Sequence, residues 1–268
     1  STQGYSSAAS DVYKRQILMF MAYRFQVLST VVCQIVILSA SVFFWKAAYG
    51  LNAVQNGTSV EQMVHYTILS NLLAVFYSTF VERNINQNVR QGNVAVDFIK
   101  PINIMGFYFA TDIGIMIGNL MFRFIPMYIF SGMFFGFTLP ANFFALVLFF
   151  VSVFLGFIIL WCICGIFGLF SFWIIQLGPI GGAKDYIIRF LSGSFVPLWF
   201  FPEKIQSVLN FLPFIHIYQT PISIYIGKIS PLQALFSIGI QLVWAILMLL
   251  CLTRFQKVAF RKVVVQGG

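Results

Sequence analysis

Charge is what this chain lacks most. Of 268 residues, Asp, Glu, Lys and Arg make up 9%, and only seven are acidic. With 60% hydrophobic residues and a mean hydropathy of +0.90, a soluble domain carrying one anchor is excluded. Chemistry-bearing residues are scarce as well. Two histidines and four cysteines supply no HExxH or comparable ligand set. Cys33, Cys162, Cys164 and Cys251 lie inside apolar windows and read as small buried residues, not as disulfides or metal ligands. Glu61 and His65 stand one helical turn apart, yet two side chains are too few for a metal, and both are expected in water at the outer end of a span. The run Gly178 to Asp185, GPIGGAKD, superficially resembles a phosphate-binding loop. That loop needs Gly before its Lys and Ser or Thr after it, and here Ala183 and Asp185 occupy those places. No nucleotide site, cofactor or metal is therefore expected in this chain. Without paired carboxylates or a Ser/His pair at matching depths, it reads as no enzyme.

Long uncharged runs are what the chain does have. They extend from Phe25 to Trp45, Gln62 to Val81, Phe124 to Ala183, Ile205 to Gly227 and Ile229 to Thr253. A spanning helix needs about 20 apolar residues, so the chain is an all-α polytopic membrane protein. The spans are expected near Val27–Tyr49, Glu61–Val81, Gly106–Phe130 and Asn142–Leu169, with a fifth from the Gly178–Gly182 turn to about Gly193 and a sixth over Pro231–Arg254. Pro231 suits the first turn of that last helix, where a missing N–H costs nothing. Residues 1–16 are set aside as a non-native leader, because Asp11–Gln16, DVYKRQ, resembles a translated frame of a transposon-derived sequencing adapter. Residues 17–268 then form one transmembrane domain.

Six crossings put both termini on one side. That side receives Arg24, Arg83, Arg90, Lys100, Lys184, Arg189, Arg254, Lys257, Arg261 and Lys262, against Lys46, Lys204 and Lys228 on the other. The bias follows the positive-inside rule with cytoplasmic termini. Because these cations sit at span ends rather than clustering on one polar face, nucleic acid is not an expected partner.

Three groups of residues are candidates for function. The connection from Glu82 to Asn103 is expected to form two short helices hinged at Gly92. Val94, Val96, Phe98 and Ile99 give the second an apolar face, Asp97 and Lys100 keep it soluble, and Pro101 ends it. It reads either as a docking helix for a cytoplasmic partner or as a plain surface loop. In the third span, Asp112, Asn119 and Arg123 fall within roughly 40° of one another at about 100° per residue. Asp112 and Arg123 are too far apart to pair, so each needs a partner elsewhere or water. A cavity-lining role, a structural ion pair and snorkelling to the interface all remain open. Third, Leu191 to Gly227 is apolar, charged only at Glu203 and Lys204, and broken by Pro197, Pro202, Pro213 and Pro221. Its pieces are mostly too short to cross, which implies a re-entrant helical hairpin, tolerated only where protein or a water-filled cavity satisfies its backbone. Trp199, Phe200, Tyr218 and Tyr225 are expected near the membrane interface, and most of the 33 Phe are expected to serve packing.

These features resemble the permease subunit of bacterial type-2 ABC exporters. The resemblance rests on Ser192-Gly193, Val196-Pro197, Phe201-Pro202, Leu212-Pro213-Phe214, Tyr218, Pro221 and Gly227, and on GNVAVDFIKP from Gly92 to Pro101. It implies six spans per subunit, a second permease subunit of the same or a different chain, and two cytoplasmic ABC ATPases that hold ATP and Mg. On this resemblance Arg90, Gly92, Asn93, Asp97, Lys100 and Pro101 belong to a coupling helix against the ATPase. Pro197, Pro202, Glu203, Pro213, Tyr218 and Pro221 belong to a hairpin capping the path on the outer side of the bacterial cytoplasmic membrane. The alternative is a stand-alone channel or ion-coupled secondary carrier that uses Asp112 and Arg123. The substrate is not legible.

Overall fold

A computed structural model describes residues 24–50, 54–55, 57–93, 103–137, 139–140, 142–174 and 177–262. Helix α1 (Arg24–Tyr49) leads into a two-stranded ribbon, β1 (Val54–Gln55) and β2 (Thr58–Ser59), turned at Gly57 with φ +66°. There follow α2 (Val60–Phe76), α3 (Val81–Gln91), α4 (Ile104–Asn119), α5 (Ile125–Phe135), α6 (Phe143–Leu169), α7 (Gly178–Leu191), α8 (Glu203–Asn210), α9 (Gln219–Tyr225) and α10 (Pro231–Phe260). Among the described residues, five stretches are long and apolar enough to span: Phe25–Tyr49, Val60–Gln91, Ile104–Phe135, Phe143–Phe172 and Pro231–Phe260. The protein is thus a multi-pass helical membrane protein.

Local chemistry sets the helix starts. Ser59 and Ser230 build capping boxes with Gln62 and Gln233, and Pro231 occupies the first turn of α10 as its sequence position implied. Asn103 and Asn142 accept from the N–H of Gly106 and Phe144 to start α4 and α6. The core lies where α2, α6 and α9 meet, with α10 running along α6 and α1 along α2. Gly165 allows that first contact, since a Cβ there would come within 3.1 Å of Leu252.

Three expectations need revision. Within the second spanning stretch the helix ends at Phe76, and Tyr77–Phe80 interrupts it before α3 begins. The third and last spans run on to Phe135 and Phe260. The third passes from α to π geometry over Leu120–Phe124, where the N–H of Ile125 bonds the carbonyl of Leu120, five residues back. Pro126 follows at once and has no N–H to give, a recognised cause of such a bulge. The fifth expected span is met by α7 alone only in part, for 14 residues reach about 21 Å at 1.5 Å each.

Candidate functional site

The break between α2 and α3 is held from α4. The Asp112 carboxylate, fully buried, accepts from the N–H of Phe80 (2.9 Å), the N–H of Val81 (3.1 Å) and the indole N–H of Trp161 on α6 (3.0 Å). It therefore caps the start of α3, where unpaired N–H groups and the helix dipole favour an anion. Two turns along α4, Asn119 donates to the carbonyl of Val75 in the last turn of α2 (3.3 Å). One face of α4 thus grips both sides of the interruption. The partner that Asp112 needed is a set of N–H donors rather than an opposite charge. Arg123 lies beyond Asn119 inside the π segment, half-buried, so the ideal-helix spacing that grouped it with the other two stops at Asn119.

Helix α3 turns Val81, Ile85 and Val89 toward the bundle and Arg83, Gln87, Arg90 and Gln91 outward. Asn86 donates to Ser171 (3.0 Å) and Asn88 to the Tyr108 hydroxyl (2.8 Å). Gly92 ends the helix in the left-handed conformation at φ +71°, and the exposed Asn93 follows. The first half of the expected two-helix connection is thus α3. Asp97, Lys100, Pro101 and the apolar face from Val94 to Ile99 lie outside the described residues.

A second attachment of α3 escaped the sequence reading. Glu82 forms an ion pair with the buried Lys184 of α7, which also pairs with Asp185 (3.0 Å) and lies 3.5 Å from Cys164 Sγ. Two glycines make room for it: a Cβ on Gly168 would come within 2.9 Å of the Glu82 Cα, and one on Gly181 within 2.6 Å of its Oε1. The GPIGGAKD run is therefore the start of a helix shaped around a carboxylate from another segment.

The proline-broken segment is anchored at the middle of the bundle. Pro197 precedes a 3-10 turn over Leu198–Phe200, Pro202 and the exposed Glu203 open α8, Pro213 starts a 3-10 turn to His216, and Pro221 lies in the first turn of α9. Gln241 of α10, fully buried, donates to the carbonyls of Ser152 (2.7 Å) and His216 (2.8 Å) and accepts from the Ser152 hydroxyl (2.9 Å). At Gly156, the midpoint of α6, a Cβ would meet Tyr77 Oη at 2.8 Å and the carbonyl oxygens of Ile217 and His216 at 3.0 and 3.1 Å. Tyr66 Oη stands 2.7 Å from the carbonyl of Gly193 and 2.6 Å from Gln219 Oε1, its one proton serving either acceptor. Tyr218 and Tyr225 are buried inside the protein, Tyr218 edge-on to Tyr77 at 5.2 Å. Trp199 and Phe200 are half-buried, near the ribbon end. There Lys228 donates to the Gly57 carbonyl (2.5 Å) and the Thr58 hydroxyl (2.7 Å) above the Trp199 ring, and burial pushes its ammonium pKa below the ordinary value. His65 packs edge-on to Phe137 at 5.3 Å.

Two cavities follow the face of α2. One, of about 370 Å³, runs between α1 and α2 from Met63 to Ala74. The other, of about 250 Å³, lies at the α3 end against Tyr77, Phe80, Arg83, Asp185 and Tyr218. They share Ala74 and Arg189.

A protein-family model described as "ABC-2 family transporter protein" matches residues 35–267, which covers every described element except the start of α1. Comparison with curated proteins finds no match.

Proposed function

Because the chain belongs to the ABC-2 transporter family, we propose that it is the transmembrane permease subunit of an ATP-driven exporter, working with a second permease subunit and separate cytoplasmic ATPases that hold ATP and Mg. The observation that carries this reading is the pose of α3. It is a short polar helix at the end of a span, fixed by Asp112 from α4 and by Lys184 from α7, with Arg83, Gln87 and Arg90 turned outward. Such a helix, followed in sequence by Asp97 and Lys100, suits contact with a soluble partner that pushes on it. Binding in that partner then shifts the permease between states that differ in affinity for the cargo.

The sixth crossing is made by α7 together with the chain from Ser192 to Phe200. Its lower end lies at Glu82, and its continuation reaches Trp199 beside Lys228 at the ribbon end. The chain then dips back. His216 and Ile217 meet Gly156, thirteen residues and about 20 Å into α6, and Gln241, ten residues and about 15 Å into α10. That depth is about half of a hydrocarbon core, which supports a re-entrant hairpin closing the path on the outer side. Six crossings together with the Lys/Arg bias favour cytoplasmic termini in a bacterial membrane.

The test is purification from a host that also expresses the ATPase of the neighbouring reading frame. An ATPase held in stoichiometric amount, whose hydrolysis falls with Asp97→Ala or Lys100→Ala, is the expected result. A lone chain that moves solute in liposomes without ATP would replace this reading with the channel or ion-coupled carrier.

A further inference from the structure

Resting on that transport reading, we propose that the groove between α1 and α2 receives the exported molecule, and that this molecule is an anionic amphiphile, an acidic head group on a hydrocarbon body. The groove has two unlike walls. Ile37, Phe44 and Trp45 make the α1 side mostly apolar, with Ser41 as its one hydroxyl, while Thr67, Ser70 and Asn71 give the α2 side polar groups beside Met63 and Ala74. From Met63 to Ala74 it follows twelve residues of helix, about 16 Å, and its volume of about 370 Å³ lies within the ordinary range for small-molecule sites.

Its charge is concentrated at one end. Arg189 is the single charged residue lining the first cavity, and at the junction with the second it is joined by Arg83 and Asp185. Asp185 is already paired with Lys184. Arg83 and Arg189 rest over the rings of Phe80 and Phe195, 5.3 and 5.9 Å from the centroids, and among the described residues no carboxylate lies within 4 Å of either. Guanidinium groups at the edge of an apolar bundle call for an anion to complete them. An acidic head at the junction with its hydrocarbon body along Phe44 and Trp45 satisfies both walls. A neutral molecule leaves the guanidinium groups unpaired, and an inorganic anion leaves the apolar wall unused. Ile37 and Phe44 are themselves exposed on the outer surface of α1, so the groove borders the bilayer in which such a molecule dissolves.

The experiment uses the complex with its ATPase in nanodiscs, probed with 11-(dansylamino)undecanoic acid, its methyl ester and inorganic phosphate. Basal ATP hydrolysis is read first, and its absence overturns the transport reading without touching the groove, which the binding arm then judges alone. Energy transfer from tryptophan to dansyl reports binding. The acid is expected to bind at least tenfold more tightly than the ester, to resist displacement by millimolar phosphate, and to raise hydrolysis. Arg189→Gln, at an exposed position that should leave folding intact, is expected to weaken the acid at least tenfold and the ester little, with Arg189→Lys recovering part of the loss. Equal binding of acid and ester, unchanged binding by Arg189→Gln, or displacement by phosphate overturns the proposal. So does an acid that binds without stimulating hydrolysis or entering the lumen of proteoliposomes, for the groove is then only a lipid seat.

Discussion

Neutralising Asp112 should loosen the start of α3. The carboxylate takes three hydrogen bonds, two on Oδ2 from Val81 N–H and Trp161 Nε1 and one on Oδ1 from Phe80 N–H. Val81 and Trp161 are buried, so water does not replace the lost acceptor. In Asp112→Asn the amide oxygen is best kept toward Val81 and Trp161, which turns the NH2 group toward the Phe80 N–H, donor against donor. Hydrogen bonds to a charged acceptor contribute about 1.5–3 kcal/mol each, and the helix dipole adds about 0.3–1 kcal/mol. Losing one bond outright and the charge of the other two should cost about 2–4 kcal/mol of local stability. Every 1.4 kcal/mol is about tenfold, so the amides of Phe80 to Ile85 should exchange roughly 30- to 1,000-fold faster, read by hydrogen exchange in nanodiscs. Asp112→Ala should exceed this, while exchange in α10 stays as in the parent. Exchange within threefold of the parent would refute the capping role. A variant that loses transport with α3 still protected would instead mark Asp112 as an ion-coupling group.

Glu82→Lys or Lys184→Glu should each lower stability by about 2–4 kcal/mol, below the ~3–5 typical of a fully buried pair because Asp185 or the solvent-facing side of Glu82 relieves part of the strain. The double exchange should recover part of the loss in thermal unfolding, and single variants that melt like the parent would remove this link between α3 and α7. Gly156→Ala should cost about 1–3 kcal/mol by forcing Tyr77 and the His216–Ile217 backbone away. Gly239→Ala, with nothing within 4 Å of its Cβ, should melt no lower than the parent and serves as the control. Gln241→Leu strips the His216 carbonyl of its donor at a fully buried position and should cost about 1–3 kcal/mol; an unchanged melting temperature would mean that water or a neighbour takes over that carbonyl.

Spans were legible where one local property decides them. Uncharged runs located the cores of α1, α2, α6 and α10, and Pro231 marked the start of the last. The ends were less legible: α10 continues past Arg254 to Phe260 because basic side chains are tolerated, even favoured, in a last helical turn. The break after α2 was hidden, since Tyr77-Ser78-Thr79-Phe80 contains neither Gly nor Pro. What holds it open is a carboxylate 32 residues away from Phe80. The end of α7 near Gly193 was legible, but what fixes it there was hidden for the same reason. Gly193 ends it at φ +80°, and a Cβ there would come within 2.6 Å of Gln219 Oε1 and 2.9 Å of Tyr66 Oη, constraints set by residues on two other helices. Lys184 and Arg189 were visible only as topology markers, because a charge announces its need for a partner but not where the fold supplies it. Gln241, an amide in the middle of an apolar span, was a signal of that kind left unused.

These hidden contacts are connected in series. Helix α3 is tied to α4 through Asp112 and to α7 through Lys184, and α7 ends in Ser192 and Gly193, whose carbonyls meet Gln219 N–H (3.2 Å) and the Tyr66 hydroxyl. A helix of 14 residues pinned at both ends transmits position rather than absorbing it. A displacement of α3 therefore reaches the proline-broken segment through about 10–15 Å of helix, from Gly181 and Lys184 to Leu191, passing Arg189 on the way. If so, the charge that faces the groove moves whenever α3 does.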